Sequence, residues 1–271
     1  MNKNSLMTKA AAAPHVVWSV IFIVAPLLFV LYYAFTDKNG NFTFENISAL
    51  SEHAGTFFLS ISLSLIATVI CVLIGFPMAY FISRAKPKHQ KTLLLAAMLP
   101  MWINLLIRTY SMMALLDDGG LINTLLGTNF HIVGTKGAVI FGMVYDFLPY
   151  MILPIYTVVS KIDNRLLEAA QDLGCSSTSV MTKVVLPLSK GGIISGVTMV
   201  FVPSISTFYI SQKLGGGTFE LIGDTIERQF ANPLTYNVGA AISLVMMVLL
   251  LLSIAVMNRF SDEGSEGRML L

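Results

Sequence analysis

The sequence predicts an all-α integral membrane protein with six transmembrane helices. Three observations predict it. Of 271 residues, 55% are hydrophobic and only 12% charged, whereas soluble domains run near a quarter charged. The apolar residues gather into segments of the length a bilayer requires. The cations concentrate on one side of those segments. No repeat or low-complexity linker divides the chain. A single six-helix domain is therefore expected over residues 16–257, with a tail at 1–15, a second tail at 258–271, and a prominent loop at 160–191.

The first apolar segment runs from Val16 to Phe35. It is longer than a signal-peptide core, and its small residues Ala10 to Ala13 precede it, so it is expected to stay as a span. Pro26 inside it predicts a kink. A polar loop is expected over 36–56. The second span, Phe57 to Ser83, carries Ser60, Ser64 and Thr68 on one face, and a cationic loop over 84–91 follows. The third span, Thr92 to Leu116, is interrupted by Pro100 and aligns Asn104, Arg108 and Ser111. Another polar loop covers 117–136.

The fourth span, Gly137 to Val159, contains Pro149, Pro154 and an acid, Asp146. The fifth, Gly192 to Ser211, has Gly192 and Gly196 at a spacing that permits close helix contact. It also places Ser204, Thr207 and Ser211 on one face. A polar loop is expected over 212–237, and the sixth span runs from Val238 to Met257.

Cation placement gives the orientation. With the N-terminus inside, the inner segments hold Lys3, Lys9, Arg84, Lys86, Lys88, Lys91, Lys161, Arg165, Lys183, Lys190, Arg259 and Arg268. The outer loops hold Lys38, Lys136, Lys213 and Arg228. Twelve against four, with Arg108 inside a span, accounts for the seventeen Lys and Arg. Both termini and the loop at 160–191 are therefore expected in the cytoplasm.

The chemistry excluded is informative. Cys71 and Cys175 fall in a span and a loop, and His15, His53, His89 and His131 are scattered. No metal-ligand spacing, hydrolase signature or phosphate-binding glycine loop occurs, so no metal or cofactor is expected and a membrane enzyme is disfavoured. A net charge of +2 gives no case for nucleic acid.

Arg108 and Asp146 are the ionisable groups well inside predicted spans. Such groups are costly in hydrocarbon and face the bundle interior. Counted along straight helices at ~1.5 Å per residue, both lie about 12–14 Å below the outer surface. Two readings stay open. They pair and lock the third and fourth spans together, or Asp146 faces a pathway and meets a cationic small-molecule substrate. Pro149 leaves the Tyr145 carbonyl without its helical donor. That carbonyl, the Asp146 carboxylate and the rings of Tyr145 and Tyr150 would suit an ammonium. Phe208, Tyr209, Trp102 and Tyr110 are candidates to extend such a path; packing or an interfacial belt is the plainer role for each.

The loop at 160–191 has its own logic. Asp163 or Asn164 can cap a helix through Arg165, Leu166, Leu167, Glu168, Ala169, Ala170 and Leu173. Gly174 stands where a left-handed residue would end it, and Ser176 or Ser177 can cap a second helix. Leu166, Ala170 and Leu173 make a narrow apolar stripe, and the two alanines let another surface approach.

Glu168-Ala169-Ala170, three residues, Gly174, nine residues, then Val184, Val185 and Leu186-Pro187 resembles the EAA loop of bacterial ABC-importer permeases, with Val184 at the usual Ile. Residues 99–110, 144–156 and 208–211 with Leu214-Gly215-Gly216 resemble the B-type permease subunits of spermidine/putrescine importers; Gln212 and Lys213 stand where an acid would suit a polyamine better.

The resemblance implies a type I ABC-importer transmembrane domain in the bacterial inner membrane. Glu168, Ala169, Ala170, Gly174, Leu186 and Pro187 would then couple it to an ATPase. It further implies a second homologous permease subunit, two copies of a cytoplasmic ABC ATPase, and an extracytoplasmic polyamine-binding protein. The alternatives are a permease for an amino acid or another organic cation, and a passive channel.

Overall fold

A computed structural model describes residues 13–266, and helices account for nearly all of it. Lys3, Lys9 and Arg268 of the charge count, with most of the N-terminal tail and the end of the C-terminal one, lie outside the described residues. Four helices are long and apolar enough to cross a membrane: Ala13–Ala34, Glu45–Arg84, Lys136–Val159 and Tyr236–Arg259. Two further pairs are sharply bent, and with each pair taken as one span the number becomes six. The chain divides into two compact units, one within Met1–Ala54 and Thr225–Leu249, the other within Gly55–Asp224 and Leu250–Leu271.

In the first unit, helix α1 (Ala13–Ala34) stays continuous past Pro26. The kink expected there takes the form of a π-turn over Val20–Val24, where the Ala25 N–H reaches back to the Val20 carbonyl. The wider turn absorbs the ring and the missing donor. The Asp37 carboxylate then accepts from the Asn39 and Asn41 N–H groups at 2.8 Å each. These bonds, Asn41's foremost, hold its carboxyl below the usual carboxylate range. The polar loop expected over 36–56 is shorter than that: the chain is helical from Glu45, through Glu45–Ser48 and a 3-10 turn at Ala49–His53. Fully buried Ala34, Ala240 and Ala241 form this unit's small core. Tyr33 and Tyr236 meet edge-to-face at 5.1 Å beside them.

The second unit begins with α2 (Ala54–Arg84). Ser60, Ser64 and Thr68 are all buried. Ser60 Oγ accepts from the Ile222 N–H at 2.8 Å, and the Thr68 hydroxyl donates to the Ser64 carbonyl at 2.7 Å. Ser60 and Thr68 therefore serve the protein's own backbone, while the buried Ser64 hydroxyl has no hydrogen-bond partner. The cationic loop shrinks to Ala85-Lys86, because Pro87 sits in the first turn of α3 (Pro87–Trp102), a position that needs no N–H. Gln90 Nε2 staples the turn by donating to the Ser83 and Ala85 carbonyls at 3.0 and 2.9 Å.

The third span is not straight. It breaks at Ile103-Asn104, where Asn104 caps α4 (Leu105–Leu116) by accepting from the Leu106 N–H at 2.8 Å. The bend between Pro87–Trp102 and the helical stretch Leu105–Leu126, which α4 opens, is 90°. Pro100 lies inside α3, three residues before the break. Rise along a straight span therefore does not measure the depth of Arg108.

Helix α5 (Lys136–Val159) matches its expected bounds to one residue and continues through Pro149 and Pro154. It is the core helix: Val139, Met143, Met151, Ile152, Ile155 and Val159 are fully buried. After α6 (Asn164–Asp172), α7 (Ser177–Leu188) and α8 (Lys190–Ile205) form the second bent pair, at 69°. Gly192 and Gly196 lie against α5. A Cβ at Gly192 would stand 2.9 Å from the Pro154 carbonyl oxygen, and one at Gly196 2.6 Å from Met151 Sδ. Met151 is confined from the other side too, since a Cβ at Gly75 would meet its Cγ at 2.8 Å. The fifth span ends earlier than expected. α8 stops at Ile205, and Ser211 belongs to α9 (Tyr209–Leu214), packed on α4 and α5.

The loop expected over 212–237 contains α10 (Ile222–Ala231). The last helix, α11 (Tyr236–Glu266), runs past Met257 into the region expected to be a tail.

Candidate functional site

Asp146 lies on the buried face of α5, 1% exposed, and Arg108 projects from the second turn of α4. Arg108 Nη1 stands 3.0 Å from Asp146 Oδ1. Capping by Asn104 starts α4 at the register that aims Arg108 at α5. The contact is one of charge rather than alignment: Arg108 Nε and Nη1 and both Asp146 oxygens are without a well-directed hydrogen bond. A cavity of about 380 Å³ opens beside the pair. Ile103, Ile107, Ser111, Phe141 and Tyr145 line it together with Arg108.

The candidate aromatics divide. Tyr110 and Tyr209 come together edge-to-face, ring centres 6.1 Å apart. Tyr145 shares the cavity wall with Arg108. Tyr150 packs near Phe147, with centres 6.4 Å apart. Trp102 stands at the end of α3, 72% exposed, and Phe208 just before α9, 43% exposed; neither lines that cavity. Sequence reasoning missed Lys213 as a neighbour of these rings: its Nζ is 5.1 Å from the Tyr110 ring centre and 5.8 Å from that of Tyr209. It also missed Asp224, buried in the first turn of α10. There Asp224 accepts from the Ser211 hydroxyl at 2.9 Å and the Leu221 N–H at 2.8 Å. An acid in a helix's first turn was the available signal.

On the 160–191 loop, Asp163 is the residue that caps α6, accepting from the Arg165 N–H at 3.0 Å. Gly174 ends it with φ +84°. Ser176 caps α7, accepting from the Ser179 N–H at 3.3 Å. The inner face of α6 is Leu167, with Ala170 half-buried beside it. Leu166 and Leu173, grouped with Ala170 from the sequence, instead point away from the core, 53% and 86% exposed. Glu168, Ala169 and Gly174 are also exposed, as are Leu186 and Pro187 at the end of α7. The result is a small helix, fixed at both ends, that shows solvent an apolar edge beside a carboxylate.

Arg84 fixes the base of this loop, a role not visible in the sequence. Its guanidinium donates to the Ile162 carbonyl at 3.1 Å, the Val159 carbonyl at 3.3 Å and the Asn164 side-chain oxygen. The last residue of α2 thereby closes the C-terminal end of α5, where bare carbonyls and the helix dipole favour a cation.

Apolar and broken helices, a buried ion pair and an amphipathic helix displayed on one loop are the features of a polytopic membrane protein. The chain belongs to the family of binding-protein-dependent transport system inner membrane components, whose family model matches residues 6–263.

Among its relatives, the spermidine/putrescine transport system permease protein PotB of Haemophilus influenzae is 39% identical over 270 residues, covering 94% of each chain. PotB of Escherichia coli is 34% identical over 258 residues, covering 90% of this chain and 94% of its own. Among solved structures, a chain of a bacterial alginate ABC transporter in complex with its periplasmic protein superposes with a TM-score of 0.77, at 19% identity over 96% of both chains. A chain of an inward-facing methionine ABC transporter gives 0.58 at 16% identity, over 77% of this chain and 94% of that one. The fold is that of the type I ABC-importer transmembrane domain.

Proposed function

We propose that this chain forms one membrane half of an ATP-driven importer for polyamines, spermidine or putrescine. The supporting observation is the identity of 39% and 34%, over 94% and 90% of the chain, to two permeases named for that transport. The exposed edge of α6 supports the coupling part of this reading. Helix α6 offers Leu166, Glu168 and Leu173 to a cytoplasmic ATPase, two copies of which would serve this chain and a homologous second permease subunit. ATP hydrolysis belongs to that partner. An extracytoplasmic binding protein delivers the substrate.

The cation asymmetry supports cytoplasmic termini and a cytoplasmic α6. When the ATPase dimer closes, α6 is pushed as a rigid body, and the broken helices α3/α4 and α7/α8 let the halves of the path rock around a buried midpoint, as in other transporters. Along that path the amine would meet Asp146 and the rings of Tyr145, Tyr150, Tyr110 and Tyr209, with Trp102 and Phe208 toward its ends.

One observation favours a second reading, import of an amino acid or another organic cation. Arg108 already neutralises Asp146, so the path is less acidic than a polycation would favour. The test is ATP-dependent uptake of labelled spermidine into vesicles holding this chain with its partner permease, ATPase and binding protein. Uptake competed by putrescine but not by arginine or lysine supports the polyamine reading. A complex that hydrolyses ATP on docking its binding protein and takes up no spermidine removes it. Spermidine uptake that persists without the ATPase would instead indicate a passive channel.

A further inference from the structure

At the corner between α4 and α9, a lysine of the chain sits against two tyrosine rings. Tyr110 and Tyr209 stand edge-to-face, so one ring face and the rim of the other enclose a single space. The Lys213 ammonium occupies it, 5.1 and 5.8 Å from the two ring centres, within the range at which a cation feels a ring quadrupole. The Tyr110 phenolic oxygen adds an acceptor for the same charge. Tyr110 is 48% exposed, and Tyr209 and Lys213 are partly exposed, so none of the three is shut inside the core.

The packing is set by the fold. α8 ends at Ile205, and the chain resumes helix as α9 at Tyr209, packed on α4 and α5. Gly142 then lets Ile210 and Leu214 lie hard against α5, where a Cβ would come within 2.8 and 2.5 Å of them. With Ile210 and Leu214 fixed inward, Tyr209 and Lys213, four apart, share a face turned to α4.

Resting on the polyamine reading above, we propose that Lys213 is a tethered stand-in for a substrate ammonium: the amine enters the Tyr110–Tyr209 corner by displacing Lys213. A monoamine exchanges one ammonium for another there and gains little. A polyamine gains, because a second ammonium on the same molecule finds partners elsewhere on the path. Lys213 is thus a specificity-determining residue, which accounts for a cation standing where an acid would have suited the substrate.

The test is equilibrium binding of labelled spermidine to the full permease–ATPase complex in nanodiscs, run beside ATP-dependent uptake with the binding protein. Lys213→Gln should tighten spermidine binding about two- to thirtyfold, the worth of one cation–π contact no longer given up. It should also reduce the discrimination against a monoamine such as butylamine. Lys213→Arg, which keeps a cation, should bind as the wild type does. Tyr110→Leu in the Lys213→Gln background should lose the gain. Binding by Lys213→Gln no tighter than wild type, or undetectable in both while uptake persists, overturns the proposal; so does equal tightening by Lys213→Arg. Wild-type complex that takes up no spermidine is a separate failure, of the substrate reading itself.

Discussion

Replacing Asp146 by Asn tests what the buried pair does. At 3.0 Å and an effective dielectric constant of about 20, the Coulomb attraction is ~5.5 kcal/mol. Burying each ion costs several kcal/mol, and the hydrogen bonds that would offset this are poorly directed. The intact pair therefore contributes close to nothing net. Removing one partner is different, because Arg108, 9% exposed at its side chain, keeps its desolvation cost and loses the attraction. Asp146→Asn should destabilise by about 3 kcal/mol, the low end for a broken buried pair, since Asn can still accept from the guanidinium. The double change Arg108→Met with Asp146→Leu should recover wild-type stability or exceed it. The assay is thermal unfolding of the detergent-purified assembled complex, with wild type, Arg108→Met, Asp146→Leu and their double measured as one cycle beside Asp146→Asn. An Asp146→Asn protein as stable as wild type, with additive single changes, would refute the pairing. If that variant also assembled normally and lost only uptake, Asp146 would be a substrate contact instead.

Three further outcomes follow from the packing. Gly196→Val should cost about 1–3 kcal/mol by driving a side chain into Met151, which Gly75 leaves no room to retreat; Met151→Ala should relieve it, and a denaturation series measures both. Gly174→Val should cost about 1–2 kcal/mol through its φ of +84° alone, because its Cβ would meet nothing within 4 Å. Gly174→Asn should be milder, and the ratio of ATP hydrolysed to substrate imported, rising for Val and not for Asn, checks it. Arg84→Gln should release the Val159 and Ile162 carbonyls, at about 2–3 kcal/mol, and leave ATP hydrolysis running with reduced uptake. Unchanged coupling in that variant would show the clamp to be structural only.

Straight, buried elements were legible in the sequence, and changes of direction were not. Helix α5 was readable because its apolar run and its length agree; Thr135, which caps it by accepting from the Ala138 N–H at 3.1 Å, was not singled out. The Gly192–Gly196 contact was readable because a missing Cβ has one common use between apolar helices. A hydropathy sum is blind to direction, so α3 and α4 read as one span although Asn104 turns the chain between them. For the same reason Arg108 could be placed near Asp146 only by an argument from depth that the bend removes. In α6, spacing identified an amphipathic helix, but the choice of Leu167 over Leu166 as the inward residue depended on where the core lies. The Tyr110–Tyr209–Lys213 corner exists because the fifth span breaks after Ile205 and α9 packs on α4, a break that no local pattern announces.

The same geometry divides the second unit into a part that should move as a block and a part that should not. α5 and α8 meet through glycines, with backbone nearly on backbone, and such contacts do not slide without clash. α6 is tied to that block at its base by Arg84 and by the turn in which the Lys161 and Ile162 N–H groups bond the Val158 and Val159 carbonyls at 3.1 Å each. α4 is held differently. It hangs from the extended residues Ile103 and Asn104 and meets α5 through a charge contact without directed hydrogen bonds and through Met112 beside Gly142, with α9 packed against it as well. Backbone hydrogen exchange separates the two attachments. In Asp146→Asn, faster exchange should be confined to residues 105–116; in Gly196→Val it should appear along α5 and α8. Equal acceleration of all three helices in both variants would mean that α4 belongs to the block, and that the bend at Ile103-Asn104 is a fixed corner rather than a joint.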